Sequence, residues 1–145
     1  MDVALKALPP DVPDAHRAVV AHWRGKVALV NDAIAEAIPQ LALAASLESE
    51  RAANHYLLGA ALVRQQQWLD ARTCLERAVQ LQPGLQSARL ELATVLLAIG
   101  ESASALSLLQ PLQHQSSNSS LLAKRAQIDV QLAVNGSAAA QIAAV

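Results

Sequence analysis

Apolar residues recur along most of the chain at intervals of three, four and seven positions. Leu58 and Leu62 are four residues apart, and Leu75 and Ala78 are three apart. This spacing places apolar side chains on one face of a helix. The pattern predicts helices, separated by short polar or Gly- and Pro-containing segments, over residues 14–30, 33–47, 52–66, 69–81, 86–99, 102–114, 119–134 and 137–144.

The same residue types return at an interval of 34 positions. Counted from Ala52, one unit carries Leu58, Gly59, Leu62, Ala71, Leu75 and Ala78. The next unit carries Leu92, Ala93, Leu96, Ala105, Leu109 and Leu112 at these places, and the preceding one carries Gly25, Ala28, Ala37, Leu41 and Ala44. One helix pair of this length cannot bury its apolar face alone, so neighbouring units are expected to stack and share a core.

Small residues and helix breakers mark fixed places within each unit. Gly59 and Ala71 are predicted to lie where the two helices of one unit cross, because larger side chains would push the helices apart. Pro83 and Gly84 are expected to end the second helix, since Pro cannot continue it and Gly allows a left-handed cap. Gly100 is expected at the turn inside the following unit.

The unit resembles the tetratricopeptide repeat (TPR), a helix–turn–helix motif of 34 residues. The matching residues are Leu58, Gly59, Leu62, Trp68 in the usual place of a Tyr, Ala71, Leu75, Ala78 and Pro83. The resemblance implies an all-α fold, a right-handed superhelical stack of TPR-like helix pairs (an α–α solenoid). It is strong over 52–85, good over 86–119 without the closing Pro, degenerate over 18–51 and incomplete over 120–145. We therefore expect a loose lead-in over 1–13 and a single domain over 14–145.

Composition narrows the classes of function. Apolar residues make up 53 % of the chain and charged residues 16 %, which excludes disorder as the main state. A net charge of −1 without a basic stripe argues against nucleic-acid binding. The single cysteine, Cys74, excludes an intramolecular disulfide framework. We find neither a signal peptide nor an apolar run of the roughly 18 residues that a membrane helix needs, so a cytoplasmic protein without membrane insertion is expected.

The sequence predicts no catalytic residue, metal site or cofactor. Cys74 has no His near it in the sequence, and a structural thiol is the favoured interpretation. The histidines have neither a cysteine neighbour nor the spacing of a metal site: His16, His22, His55 and His114. The five glycines are scattered and form no phosphate-binding loop. The chain is therefore expected not to be an enzyme.

The two tryptophans receive different interpretations. Trp68 occupies the aromatic place of the repeat, which favours packing. Trp23 lies in the degenerate unit, where packing is favoured and an exposed anchor for a partner is the alternative.

The TPR resemblance also implies a concave groove lined by the first helix of each pair. The groove positions of the family, with one neighbouring arginine, give the candidate partner-binding residues Tyr56, Ala60, Val63, Arg89, Leu90, Thr94, Leu97, Leu121, Lys124 and Ile128. Most are apolar, with Arg89 and Lys124 as basic groups that would fix the orientation of a partner. Some TPR co-chaperones bind a C-terminal carboxylate through a basic clamp, and only Lys124 would suit that role here.

An apolar groove suits an amphipathic helix or an apolar extended segment. The first hypothesis is therefore a non-enzymatic protein-interaction module that binds a protein or peptide. The groove could also be filled by the N-terminal segment of the chain or by a second copy in a homodimer. Two further interpretations stay open: an N-terminal adaptor of a larger enzyme of the glycosyltransferase, sulfotransferase or hydroxylase type, and a small secretion or assembly chaperone.

Overall fold

The computed structural model describes residues 9–109 and Ile128. Regular structure over residues 9–109 is entirely helical, which confirms the all-α class. The helices are α1 (Asp14–Val30), α2 (Ile34–Leu47), α3 (Ala52–Arg64), α4 (Trp68–Leu81), α5 (Gln86–Ala98) and α6 (Ser102–Leu109). None of the helices in this part of the chain is long and apolar enough to cross a membrane.

The predicted helix boundaries agree with the structure to within two residues wherever they can be compared. The bounds of α1 are those predicted, and α3 ends at Arg64 instead of residue 66. The predicted helices 119–134 and 137–144, and the end of 102–114, lie outside the described residues. The chain divides into two compact units, Met1–Leu85 and Gln86–Val145, at the boundary between two sequence repeats. A single domain over 14–145 stays a prediction.

The first unit contains two helix pairs, α1–α2 and α3–α4, with α2 packed against α3. Its core is built mainly from alanine and leucine, including Ala37, Leu41, Ala61, Ala71 and Leu75. Because alanine lets helix backbones approach closely, a chain without phenylalanine still fills this interior. In the second unit α5 packs against α6, and the buried apolar residues include Val95, Ala105, Leu109 and Ile128.

The helix crossings are where the sequence predicted them. Gly59 of α3 faces Leu75 of α4, and Ala71 is completely buried beside them. In the preceding pair, Gly25 of α1 faces Leu41 of α2 in the same way. The degenerate repeat therefore keeps the close approach of its two helices.

The turn inside each helix pair has one conformation, repeated three times. Asp32 and Gln66 have φ of 59° and Gly100 has φ of 85°, and these residues are 34 positions apart. The amide of the residue that follows each of them donates to the carbonyl five residues before it, as from Gln67 N to Leu62 O at 3.0 Å. This is the Schellman arrangement, which satisfies carbonyls at the end of a helix. The sequence predicted breaks between the helices of each pair and named Gly100 as a turn residue, but it did not predict left-handed residues at Asp32 and Gln66, because neither is a glycine.

The connections between successive pairs do not use a left-handed residue. Helix α4 ends at Leu81, and Gln82 has φ of −140°. Gly84 is not among the residues with positive φ, so the predicted left-handed cap there is wrong. The amide of Leu85 donates to the carbonyl of Gln82 at 3.1 Å, which makes Pro83 the second residue of a turn, a place that proline favours.

Candidate partner-binding surface

One face of α3 carries a row of half-buried, mostly apolar side chains, Ala53, Tyr56, Ala60 and Val63, which we call the α3 row. Their spacing of three, four and three residues places them on a single side of the helix. Other residues of α3 are committed to the interior, since Gly59 faces α4 and Ala61 lies in the buried cluster shared with α1 and α2. The structure thus brings together the predicted residues Tyr56, Ala60 and Val63.

The other predicted binding residues, on α5 and beyond it, differ in how far they are exposed. Leu90 and Thr94 are half-buried, and the Thr94 hydroxyl donates to the Leu90 carbonyl at 3.0 Å. Leu97 is only 9 % exposed and belongs to the core of the second unit. Ile128 is completely buried, whereas Leu121 and Lys124 lie outside the described residues. Binding of a partner by these side chains stays a prediction.

A buried polar network lies beside the α3 row and ties three helices together. The side-chain amide of Asn54 donates through Nδ2 to the Ala44 carbonyl of α2 at 3.2 Å, and its Oδ1 is 2.7 Å from His22 Nδ1 of α1. Because Oδ1 can only accept, Nδ1 of His22 carries the proton. Asn54 is completely buried and His22 is 7 % exposed.

This network was missed from the sequence, although the repeat contained a signal. The positions 34 residues before and after Asn54 hold Val20 and Ala88. A polar residue at a place that is otherwise apolar indicates a buried group with dedicated partners.

The family model of the tetratricopeptide repeat matches residues 52–85, the segment that carries α3 and α4. This segment, 34 of the 145 residues, carries one tetratricopeptide repeat. No curated protein matches the sequence.

Solved TPR domains share the fold at low sequence identity. The TPR2B domain of yeast Sti1, solved as a complex with pHsp70, is 21 % identical with a TM-score of 0.74, over 80 % of this chain and 98 % of that one. The second TPR domain of human RPAP3, in complex with an HSP70 peptide, is 15 % identical with a TM-score of 0.75, over 81 % and 98 %. The Arabidopsis OM64 TPR domain is 14 % identical with a TM-score of 0.76, over 81 % and 98 %. At these identities the likeness shows the fold alone.

Arg89, predicted to orient a partner, makes a contact within the fold. Its Nη1 donates to the Leu108 carbonyl of α6 at 3.0 Å, and the guanidinium is partly buried. The contact satisfies a carbonyl near the end of the described part of α6. The orienting role of Arg89 stays a prediction.

Cys74 and His55, considered above as candidate catalytic or metal-binding residues, both contact other parts of the fold. Cys74 is half-buried, and burial, followed by the negative charge of Asp70, raises the pKa of its thiol. A raised pKa disfavours the thiolate, which is the reactive form. His55 donates through Nε2 to the Ser49 carbonyl at 2.8 Å. Within the part of the chain that the structure describes, no three His, Cys, Asp or Glu side chains are grouped so as to hold a metal ion.

Proposed function

We propose that this TPR protein is a non-catalytic interaction module whose α3 row receives an apolar or amphipathic segment of a partner protein. The observation that carries the proposal is the composition of that row: three aliphatic side chains and Tyr56, all half-buried and without a charged group. Such a surface offers apolar contact along the whole row, including the ring of one aromatic residue. It favours partners that are recognised by burial of apolar surface over partners that are recognised by charge.

The peptide named for the human RPAP3 domain differs in charge from the partner that we propose. That domain is described with the peptide SGPTIEEVD, which ends in three acidic side chains and a carboxylate. The corresponding family positions in the present chain hold Tyr56, Ala60, Leu90, Lys124 and Ile128. Of these, only Lys124 can form an ion pair with a carboxylate. The proposed partner therefore differs in chemistry from that peptide.

The size of the partner contact follows from simple energetics. Micromolar affinity requires about 8 kcal/mol, and association itself costs at least about 4 kcal/mol. At about 25 cal/mol per Å², roughly 500 Å² of apolar surface must be buried. This corresponds to two or three large side chains of the partner, at roughly 150–250 Å² for an aromatic one. The α3 row, which is three helical turns long, has room for such a set.

The test places a photo-crosslinking benzoylphenylalanine at Ala60 in the centre of the α3 row, with the same residue at the exposed Gln80 of α4 as the matched control. Irradiation in the source cells, followed by mass spectrometry of the crosslinked peptide, is expected to recover a discrete partner from position 60 only. The crosslinked segment should contain two or three large apolar residues. Equal products from both positions would contradict the proposal.

Two binding measurements complete the test. Ala60→Glu should weaken binding of the identified segment at least tenfold, because burying an unpaired carboxylate is costly, whereas Gln80→Glu should leave it unchanged. Leu97 is unsuitable for such a test because it is buried, and glutamate there would disturb the fold. The peptide SGPTIEEVD should show no saturable binding, and tight binding of it would overturn the apolar mode of recognition.

A further inference from the structure

Helix α1 has a second apolar face that points to solvent. Val19, Trp23, Val27 and Val30 lie at intervals of four, four and three residues and are 41 %, 55 %, 55 % and 81 % exposed. We call these four residues the α1 face. The opposite side of the same helix is buried through Ala18, Ala21, Gly25 and Ala28. A helix that is apolar on both sides is characteristic of a position between two packed layers, and an exposed apolar patch of this kind marks an interaction site.

The internal repeat shows what kind of element fits the α1 face. Thirty-four positions further on, Trp23 and Val27 correspond to Leu57 and Ala61 of α3. Ala61 is completely buried in a cluster with Ala37 and Leu41 of α2, and Leu57 packs against that cluster. At these two positions the surface of α3 is thus covered by the preceding helix pair, whereas Val19 and Val30 correspond to Ala53 of the α3 row and to the exposed Arg64. Among the described helices of the first unit, none covers the α1 face in this way.

Helix α2, which packs on α3, indicates what kind of helix would fit on the α1 face. The residues that it turns toward the interior are small or aliphatic: Ala37, Leu41, Ala44 and Ala45, with Ile38 partly buried. Covering the distance from Val19 to Val30 requires about 16 Å of helix, or three turns, at about 1.5 Å per residue. The occupant is therefore an amphipathic helix of at least three turns with alanine and leucine on its apolar face.

Charge selects among occupants of this shape. Helix α1 carries Arg17, Arg24 and Lys26 against one acidic residue, Asp14, which is 3.4 Å from Arg17. The Lys26 ammonium lies 4.9 Å from the centre of the Trp23 ring, at the border of the α1 face. A carboxylate on the occupant would meet this ammonium at the edge of an apolar contact, where water is partly excluded and the attraction is stronger than in bulk solvent.

The same charges disfavour a second copy of the chain. Antiparallel pairing of two α1 helices would match Val19 with Val30 and Trp23 with Val27 of the other copy. It would also bring Arg24 and Lys26 of each copy toward the same residues of the other copy. Because like charges placed opposite each other oppose association, an acidic partner is favoured over self-association.

We propose that the α1 face is a second docking surface, distinct from the α3 row, for an amphipathic helix of a partner protein with a small aliphatic apolar face and acidic flanks. The partner helix would pack on α1 as α2 packs on α3, and its acidic flank would lie next to Lys26.

The test uses the full chain and two synthetic 14-residue helical peptides. Both retain the apolar positions of α2, one with glutamate at the flanking positions and the other with lysine. Fluorescence anisotropy is expected to show saturable binding of the glutamate peptide, at least tenfold tighter than binding of the lysine peptide and weakened by salt. Lys26→Glu should reverse this preference. Equal affinity for the two peptides, or a preference that Lys26→Glu does not change, would refute the proposal.

Further variants locate the binding surface and distinguish a partner helix from a second copy of the chain and from the N-terminal segment. Trp23→Glu and, independently, Val30→Glu should reduce binding of the glutamate peptide at least tenfold, while Leu69→Glu, at an apolar residue of α4 that is 72 % exposed, should have no effect. Circular dichroism checks that each variant is folded. A dimer in sedimentation velocity that Trp23→Glu dissociates would assign the face to a second copy. Tenfold tighter peptide binding after Leu5→Asp and Leu8→Asp would assign it to the N-terminal segment. Either result would overturn the proposal.

Discussion

Gly59 of α3 lies so close to Leu75 of α4 that a methyl group on Gly59 would be 2.6 Å from Leu75 Cγ and 2.8 Å from its Cδ2. One repeat earlier, a methyl group on Gly25 would be 2.5 Å from Cγ and Cδ2 of Leu41. Leu75 and Leu41 are completely buried, so neither can move aside into solvent. The absence of a side chain at these two glycines therefore sets the closeness of both helix pairs.

Gly59→Ala is expected to destabilise the protein. Alanine gains about 1 kcal/mol in helix propensity over glycine, but overpacking against Leu75 costs typically 1–3 kcal/mol. The expected net loss is about 1 kcal/mol, measured by urea unfolding. Gly84→Ala is the matched control, because nothing lies within 4 Å of a methyl group there. It should stabilise the chain by about 0.4–1 kcal/mol through the unfolded state. The same sign for both substitutions would show that the crossing is looser than described.

The left-handed residues of the turns give a second prediction. The backbone of Gln66 is left-handed, with φ of 59°. For a residue with a side chain, this conformation costs roughly 1–2 kcal/mol. Gln66→Gly should relieve this strain and stabilise the protein by about 0.5–1 kcal/mol after the entropic cost of glycine. The neighbouring Gln65, with φ of −88°, is the control, and Gln65→Gly should destabilise by a similar amount. Thermal unfolding measures both effects: Tm should rise for Gln66→Gly and fall for Gln65→Gly. A fall in Tm for both variants would contradict the prediction.

The buried pair His22 and Asn54 gives a third prediction. Asn54→Leu removes the acceptor of the His22 Nδ1–H group and should cost about 1–3 kcal/mol, because a buried donor is left without its partner. His22→Leu together with Asn54→Leu should cost less than the sum of the single changes, with a coupling of about 1 kcal/mol or more in a double-mutant cycle. His16→Leu, at an exposed position of the same helix, should leave stability nearly unchanged. Strict additivity of the two buried changes would argue against the hydrogen bond.

The thiol of Cys74 gives a fourth prediction, which concerns pH. Because burial and then Asp70 raise its pKa, the thiolate fraction at any pH near neutrality is smaller than for a free cysteine. The rate of alkylation by iodoacetamide should therefore be low, and its pH profile should be displaced upward. Asp70→Asn should lower the pKa and speed the reaction, whereas Glu36→Gln, on a different helix, should not. A profile centred at or below that of the urea-unfolded chain would be inconsistent with this environment.

Over residues 9–109, the sequence alone determined the helices, their boundaries to within two residues, and the repeat length. These follow from local signals: the spacing of apolar residues along one helix, and small residues such as Gly59 and Ala71 at a crossing. The resemblance to the TPR family supplied Tyr56, Ala60 and Val63 as groove positions, and the structure places them on one side of α3. Local periodicity is sufficient for such statements because the geometry of a single helix fixes which of its residues share a face.

The tertiary structure decided which apolar faces are covered. Trp23 and Leu57 occupy the same place in their repeats, yet Trp23 is exposed and Leu57 packs in the core. The reason is that α3 packs on a preceding helix pair, whereas α1 has none within residues 9–109. Likewise, the burial of Asn54 and the αL conformation of Gln66 depend on neighbours far away in the sequence or on the path of the chain. Burial is a relation between two surfaces, and the pattern of one helix describes only one of them.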